Sequence, residues 1–170
     1  MNLLRRLFTP SRDPREELRP RWGQIVALAR EPAWYRDCGV ADTLEGRFDM
    51  VAAVLAVVML RMERNPQLAA RTGPLTEIFV EEMDGQLRQS GVGDLMVGKQ
   101  IGKLMATLGG RVGALRAALA VGDAAVEQAV HRNVTLADDG CAPAAAARLR
   151  ALVARLDATD DAELLAGRIA

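Results

Sequence analysis

The sequence predicts an all-α protein, a single-domain irregular bundle of six to eight helices around one central apolar helix at about 43–64. Three observations carry this. Met50 to Leu60 runs eleven residues without a polar side chain, and a helix apolar all round leaves water only if it is buried on every side. Half of the 170 residues are hydrophobic, yet the aromatics are two Trp, three Phe and one Tyr, so Ala, Val, Leu and Met must fill the core, a composition that favours helix over sheet. Apolar residues also recur at helical spacing along most of the chain. A chain of this length buries about 70% of the surface its unfolded form exposes, which suffices for one core.

Residues 1–20 read as a flexible, basic N-terminal segment, because Pro10, Pro14 and Pro20 forbid one continuous helix. Arg5 and Arg6 interrupt the apolar run that a secretory signal needs. Leu3, Leu4, Leu7 and Phe8 beside those arginines suit either a frayed tail or a short amphipathic turn on an anionic membrane. Residues 21–170 form the helical domain. Trp22, Ile25, Val26, Leu28 and Ala29 predict a first helix over 21–30, stopped at Glu31-Pro32. Trp34 and Tyr35 are amphipathic anchors at the core edge, and the loop from Arg36 to Ala41 leads into the central helix.

Asp42 with Glu45 fits a capping box, starting that helix near Thr43. Leu44, Phe48, Val51, Leu55, Val58, Met59 and Met62 form its repeat, and Asn65-Pro66 ends it. Asp49 and Arg61 bracket an apolar block far shorter than the about 20 residues of a membrane span. Gly73-Pro74 opens the next long helix, with Leu75, Ile78, Phe79, Met83 and Leu87 on its apolar stripe and Glu77, Glu81, Asp84 and Arg88 on a solvated, mostly acidic face. Ser90-Gly91 stops it and Asp94 caps another.

The stretch from Leu95 to Gly122 has no acidic residue and carries Lys99, Lys103, Arg111 and Arg116, making the one basic surface. Gly109-Gly110 is expected to bend or break its helix. Asp123 caps a helix to about Arg132, Asn133 to Cys141 is the longest loop, Pro143 starts a helix, and Asp160 with Glu163 makes a second capping box.

Function classes narrow quickly. The 22 cations balance 22 anions, so no whole-molecule basic field grips DNA. Cys38 and Cys141 are distant in sequence and show neither zinc nor Cys-x-x-Cys spacing, which reads as two reduced thiols. His131 is the single histidine and reads as a surface residue without an acidic partner. No cofactor, metal or haem ligand set is implied. Gly93 to Lys99 fits G-x-x-x-x-G-K, but Gln100 stands where a phosphate-binding loop has Ser or Thr, and the preceding segment has helical period. Glu81-Glu82 and Asp138-Asp139 are sequence neighbours, and Ser11 and Ser90 sit in no nucleophile elbow, so no enzyme is predicted.

Two blocks, Trp34-Tyr-Arg-Asp-Cys-Gly-Val-Ala-Asp-Thr-Leu-Glu-Gly-Arg-Phe-Asp49 and Glu82-Met-Asp-Gly-Gln-Leu-Arg-Gln-Ser-Gly-Val-Gly-Asp-Leu-Met-Val-Gly-Lys99, occur in order. Over about residues 20–120 they make the chain resemble the ubiquinol-cytochrome c chaperone family, in the manner of a short alphaproteobacterial member. The resemblance implies an all-helical, non-enzymatic assembly factor for cytochrome b of the bc1 complex, bound to cytochrome b or another bc1 subunit, with the ribosome or the inner-membrane surface as further partners. It places the protein in the bacterial cytoplasm, peripheral to the inner membrane, and leaves the oligomeric state open. The expected partner surface joins the polar loop with Tyr35, Arg36, Asp37, Arg47 and Asp49 to Asp84 and the basic helix with Lys99, Lys103 and Arg111. Arg36 or Arg47 is expected to pair with Asp37, Asp49 or Asp84, because a charge at the start of the most buried helix must be paired or exposed. The rival functions are a helical homo-oligomeric scaffold or partner-binding module, and a nucleotide-binding protein using residues 93–99.

Overall fold

The computed structural model describes residues 13–89 and 94–168, with side chains over 13–86 and 102–168. The organising helix is α3, Leu44–Met62, in which every residue from Met50 to Val58 is buried. Its start differs from the expected capping box. Thr43 is extended, and its side chain accepts from the Gly46 N–H at 3.1 Å. Asp42 stands one residue too early to reach that amide, and its carboxylate instead takes the Arg47 Nε at 2.7 Å. Gly46 is required by close approach, since a Cβ there would overlap the Ala41 carbonyl as the preceding loop crosses the helix start.

Around α3 pack α1 (Arg19–Ala29), α6 (Asp94–Val121) and α8 (Ala142–Ala158), with α5 (Thr72–Gln89) wedged against α1 and α6 and α7 (Asp123–Asn133) bridging α6 to α8. Three short helices, α2 (Pro32–Arg36), α4 (Pro66–Ala69) and α9 (Asp161–Leu165), turn the corners. The expected all-α bundle is therefore what the chain forms.

The chain is already engaged before the expected first helix. A 3₁₀ turn over Glu16–Leu18 buries Leu18, and α1 begins at Arg19. Arg15 and Arg19 reach the α5 face at Glu81 and Glu82, 3.7–3.9 Å away, so that acidic face is partly neutralised rather than wholly solvated. Trp22, Ile25, Leu28 and Ala29 point inward as their spacing requires, but so does Arg21, which has no exposed surface. Its guanidinium donates to the Leu164 carbonyl at the end of α9, and burial, with Arg71 nearby, lowers its pKa to about 10.

Helix α6 runs unbroken through Gly109-Gly110. Glycine in a helix interior costs about 1 kcal/mol, which the burial of Leu108, Val112, Leu115 and Ala118 on one face outweighs. Its segment Gly102–Val121 is by length and composition long and apolar enough to cross a membrane.

The C-terminal region is held to α3 by directional bonds. Arg61 donates to the carbonyls of Leu156 (3.0 Å) and Thr159 (2.8 Å) at the α8 end and to Asp161 (2.8 Å). At the other end of α3, loop 134–137 pairs with loop 39–41 through an antiparallel bridge of Val40 with Leu136. The Ala41 N–H donates to Thr135 at 2.9 Å and that of Ala137 to Gly39 at 2.8 Å.

Candidate functional site

Among the described residues, the bundle leaves the outer side of the first turn of α3 open. Leu44 is the first residue of that helix and is 71% exposed, although its spacing puts it on the core stripe. Among the described residues nothing packs over it. Beside it, between α3, α5 and α6, lies an open cleft of about 550 Å³. Leu44, Phe48, Met83 and Leu104 form its apolar walls, with Glu45 and Lys103 among its polar lining. A second groove of about 400 Å³ between α1, α3 and α5 shares Leu44, Phe48 and Met83 and adds Val26, Arg30 and Arg47. The two share those side chains and are lined by both cations and anions.

A buried ion pair lies at the floor of the cleft. Asp49 and Arg111, 8% and 7% exposed, are hydrogen-bonded to each other through the Asp49 Oδ1. Asp49 Oδ2 also accepts from the Thr135 N–H at 2.9 Å and from its hydroxyl at 2.7 Å. Arg111 Nε donates to the Asn133 carbonyl at 3.2 Å, and the guanidinium carbon lies 5.4 Å from the Phe48 ring centre, within cation–π range. One carboxylate and one guanidinium thus tie α3, α6 and the α7–α8 loop together beneath the cleft. Phe48 packs onward against Phe79 at a tilt, and Phe79 meets Trp22 edge to face, each with centroids 6.1 Å apart.

The expected pairing is corrected here. Asp49 takes Arg111 rather than Arg36 or Arg47, because it lies on the face of α3 that meets α6. Arg47 lies a little more than half a turn away and reaches back to Asp42, an exposed contact of little energetic weight. Arg111 is correspondingly not on the basic surface. The absence of acidic residues in its own helix concealed that its partner comes from another element.

The other expected site residues divide. Arg47, Asp49 and Lys103 line the two connected hollows. Tyr35 is half-buried on α2, with its hydroxyl donating to the Ala29 carbonyl at 2.9 Å; burial raises its pKa, Arg47 opposing and Asp42 adding. Trp34 is anchored likewise, its indole N–H donating to Leu28 at 2.8 Å. Arg36 and Asp37 are exposed on the same corner. Asp84 lines a different groove between α5 and α6, with Val80, Glu81 and Met105. The Lys99 side chain lies outside the described residues.

Two readings of isolated residues also change. His131 Nε2 is 3.3 Å from Asp139, so it does have an acidic neighbour, delivered by the α7–α8 loop. Cys38 and Cys141, far apart in sequence, come to the same junction, where a Cβ added to Gly39 would overlap the Cys141 side chain. Among the described residues no group of three or more His, Cys, Asp and Glu could hold a metal ion. The segment before residues 93–99 is α5, and residues 94–100 are already helical, whereas a phosphate-binding loop is delivered by a strand.

Comparison with known proteins gives two matches. The family model described as ubiquinol-cytochrome C chaperone matches residues 36–170. The crystal structure of the Cbp3 homolog from Brucella abortus superposes with a TM-score of 0.82 at 31% identity, over 99% of this chain and 96% of that one. No curated protein matches the chain. The match to the family model includes the C-terminal third, where sequence motifs gave no likeness, and the likeness in structure spans both chains almost end to end. The chain belongs to the ubiquinol-cytochrome c chaperone family.

Proposed function

We propose that the chain is a non-enzymatic assembly factor of the ubiquinol-cytochrome c reductase (bc1) complex, and that the cleft between α3, α5 and α6 receives an apolar segment of newly made cytochrome b. The observation that carries this reading is the open apolar mouth around Leu44, Phe48, Met83 and Leu104. Apolar surface kept in contact with water is a standing cost that a folded chain tolerates where a partner covers it. An amphipathic helix laid into the groove would bury its apolar face there. Lys103 and Arg47 would meet acidic groups beside that face, setting orientation and encounter rate more than affinity.

Tyr35 lies near Arg47 and Arg30, which line the second groove, and with Arg36 and Asp37 of the same corner it would supply a polar rim. Family membership supports the choice of client, and the reading places the protein on the cytoplasmic face of a bacterial inner membrane, where that client is inserted. The test is removal of the gene, followed by difference absorbance of the host membranes and complementation with Leu44→Asp and Lys103→Glu. Loss of the cytochrome b band with other oxidases intact, restored by the natural chain and not by Leu44→Asp, is the expected result. An unchanged band on deletion overturns the reading.

A further inference from the structure

We propose that Cys38 and Cys141 are a dithiol site that closes to an intrachain disulfide on reaction with a low-molecular-weight disulfide. The two residues flank one junction. Cys141 closes the 3₁₀ turn Asp139–Cys141 that leads into α8, and its Sγ and Cβ occupy the space that a side chain on Gly39, the residue after Cys38, would fill. Its Cα is 3.9 Å from that Cβ position, so the Cys141 backbone lies against the residue that follows Cys38, and closing the bridge asks the Cys38 backbone to turn toward it. Residues 37–39 belong to no helix, and Gly39 has a φ of +67° that glycine adopts freely, so the adjustment falls on a turn able to make it. The adjoining strand-like contact, Val40 with Leu136, already holds the two loops in register. Burial raises the Cys38 pKa, Arg148 opposes, and Asp37 and the Cys141 thiol itself add to the rise, which agrees with two sulfurs sharing one neighbourhood.

Access differs between the two and sets the order of events. Cys141 is partly exposed and Cys38 is buried. The Cys141 thiolate attacks one sulfur of oxidised glutathione and displaces a glutathione thiolate, which takes up a proton. Cys38, having lost its proton to solvent, then attacks the Cys141 sulfur and displaces the second glutathione. The protein loses two electrons and two protons, and one glutathione disulfide becomes two glutathione thiols. The new bond fixes the turn before loop 39–41 to the start of α8, three residues from the Ala41 contact with Thr135 that supports Asp49. The site itself does not depend on what occupies the cleft.

The test uses the full chain, reduced, desalted and treated with oxidised glutathione at neutral pH, read by intact mass, thiol count and non-reducing peptide mapping. The expected product is a monomer lighter by two hydrogens, with no free thiol, a peptide pair joining Cys38 to Cys141, and a higher Tm than the reduced chain. The Cys38→Ser variant is expected to stop at a single retained glutathione on Cys141. A natural chain that keeps a glutathione adduct, keeps both thiols, or links only to a second chain overturns the proposal. The mass of the natural chain decides this even if a serine variant fails to fold.

Discussion

Replacing Arg111 by Met is the most informative single change. It removes the only cation hydrogen-bonded to Asp49 among the described residues while conserving much of the side-chain volume against Phe48. Asp49 would remain 8% exposed with the Thr135 N–H and hydroxyl still donating to it. Removing one partner of a buried pair costs about 3–5 kcal/mol, and the surviving Thr135 bonds favour the lower end, about 3 kcal/mol. For a chain of this size that lowers Tm by about 6–12 °C. The double variant Asp49→Leu, Arg111→Met leaves no uncompensated charge, so its loss should be smaller than the sum of the two single losses by at least about 2 kcal/mol, the Thr135 N–H being the main group left unpaired. Urea unfolding of the four proteins, with equal slopes, gives the coupling directly. A single Arg111→Met loss under about 1 kcal/mol, or strictly additive losses, would refute the pair as the fastening of α3, α6 and the 134–136 loop.

Other substitutions separate neighbouring explanations. Thr43→Ala should cost about 1 kcal/mol, the value of an N-cap, whereas Asp42→Ala should stay within about 0.5 kcal/mol because its bond to Arg47 is exposed; equal losses in denaturant melts would restore Asp42 as the cap. Gly46→Ala should destabilise strongly through the Ala41 carbonyl, while Gly113→Ala, where an added Cβ meets nothing, should stabilise by about 0.5–1 kcal/mol, both read by Tm. Asn65, then Arg61, lowers the Asp161 pKa. Its contribution is therefore present above the ordinary carboxylate range and lost as pH falls through the lowered value. Asp161→Ala should accordingly be less stable at neutral pH and show a flatter acid limb than the natural chain. Leu44→Ser should change stability by under about 0.5 kcal/mol, being mostly exposed, yet should reduce cytochrome b in complemented membranes; a large loss of Tm would reassign Leu44 to the core.

The central helix was legible because an all-apolar run has one low-energy fate, and Met50 to Val58 meet it residue by residue. The start at Ala142-Pro143 followed from the fixed φ of proline, whereas Pro32 and Pro66, read only as helix stops, each open a short helix as well. What the sequence could not show was every relation between elements. Asp49 meets Arg111 across 62 positions, and no local pattern encodes that distance. Arg21 shares a helical stripe with Ile25 and Leu28, so its spacing marked it as inward, but its charge argued for the surface. The contact that resolves the conflict, the Leu164 carbonyl, lies 143 residues away. Leu44 shows the reverse failure. Periodicity says which face a residue occupies and is silent on whether the neighbouring element is long enough to cover it.

That last point bears on why a charged pair sits where apolar packing would be expected. A cleft walled only by Leu44, Phe48, Met83 and Leu104 would gain from collapse, since closing it removes apolar surface from water. Asp49 resists this because its bonds are directional: Arg111 fixes α6, and Thr135 fixes the loop, at hydrogen-bond distances that a collapsed geometry would break. Desolvating two charges makes the pair a weak source of stability, but breaking it without replacement is expensive, so the distance between α3 and α6 is held from below while the mouth stays open. Replacing both charges by apolar residues should therefore yield a chain of near-natural stability with a narrower cleft and, on the proposed reading, weaker capture of cytochrome b. That separation of stability from function would not arise if the pair served the core alone.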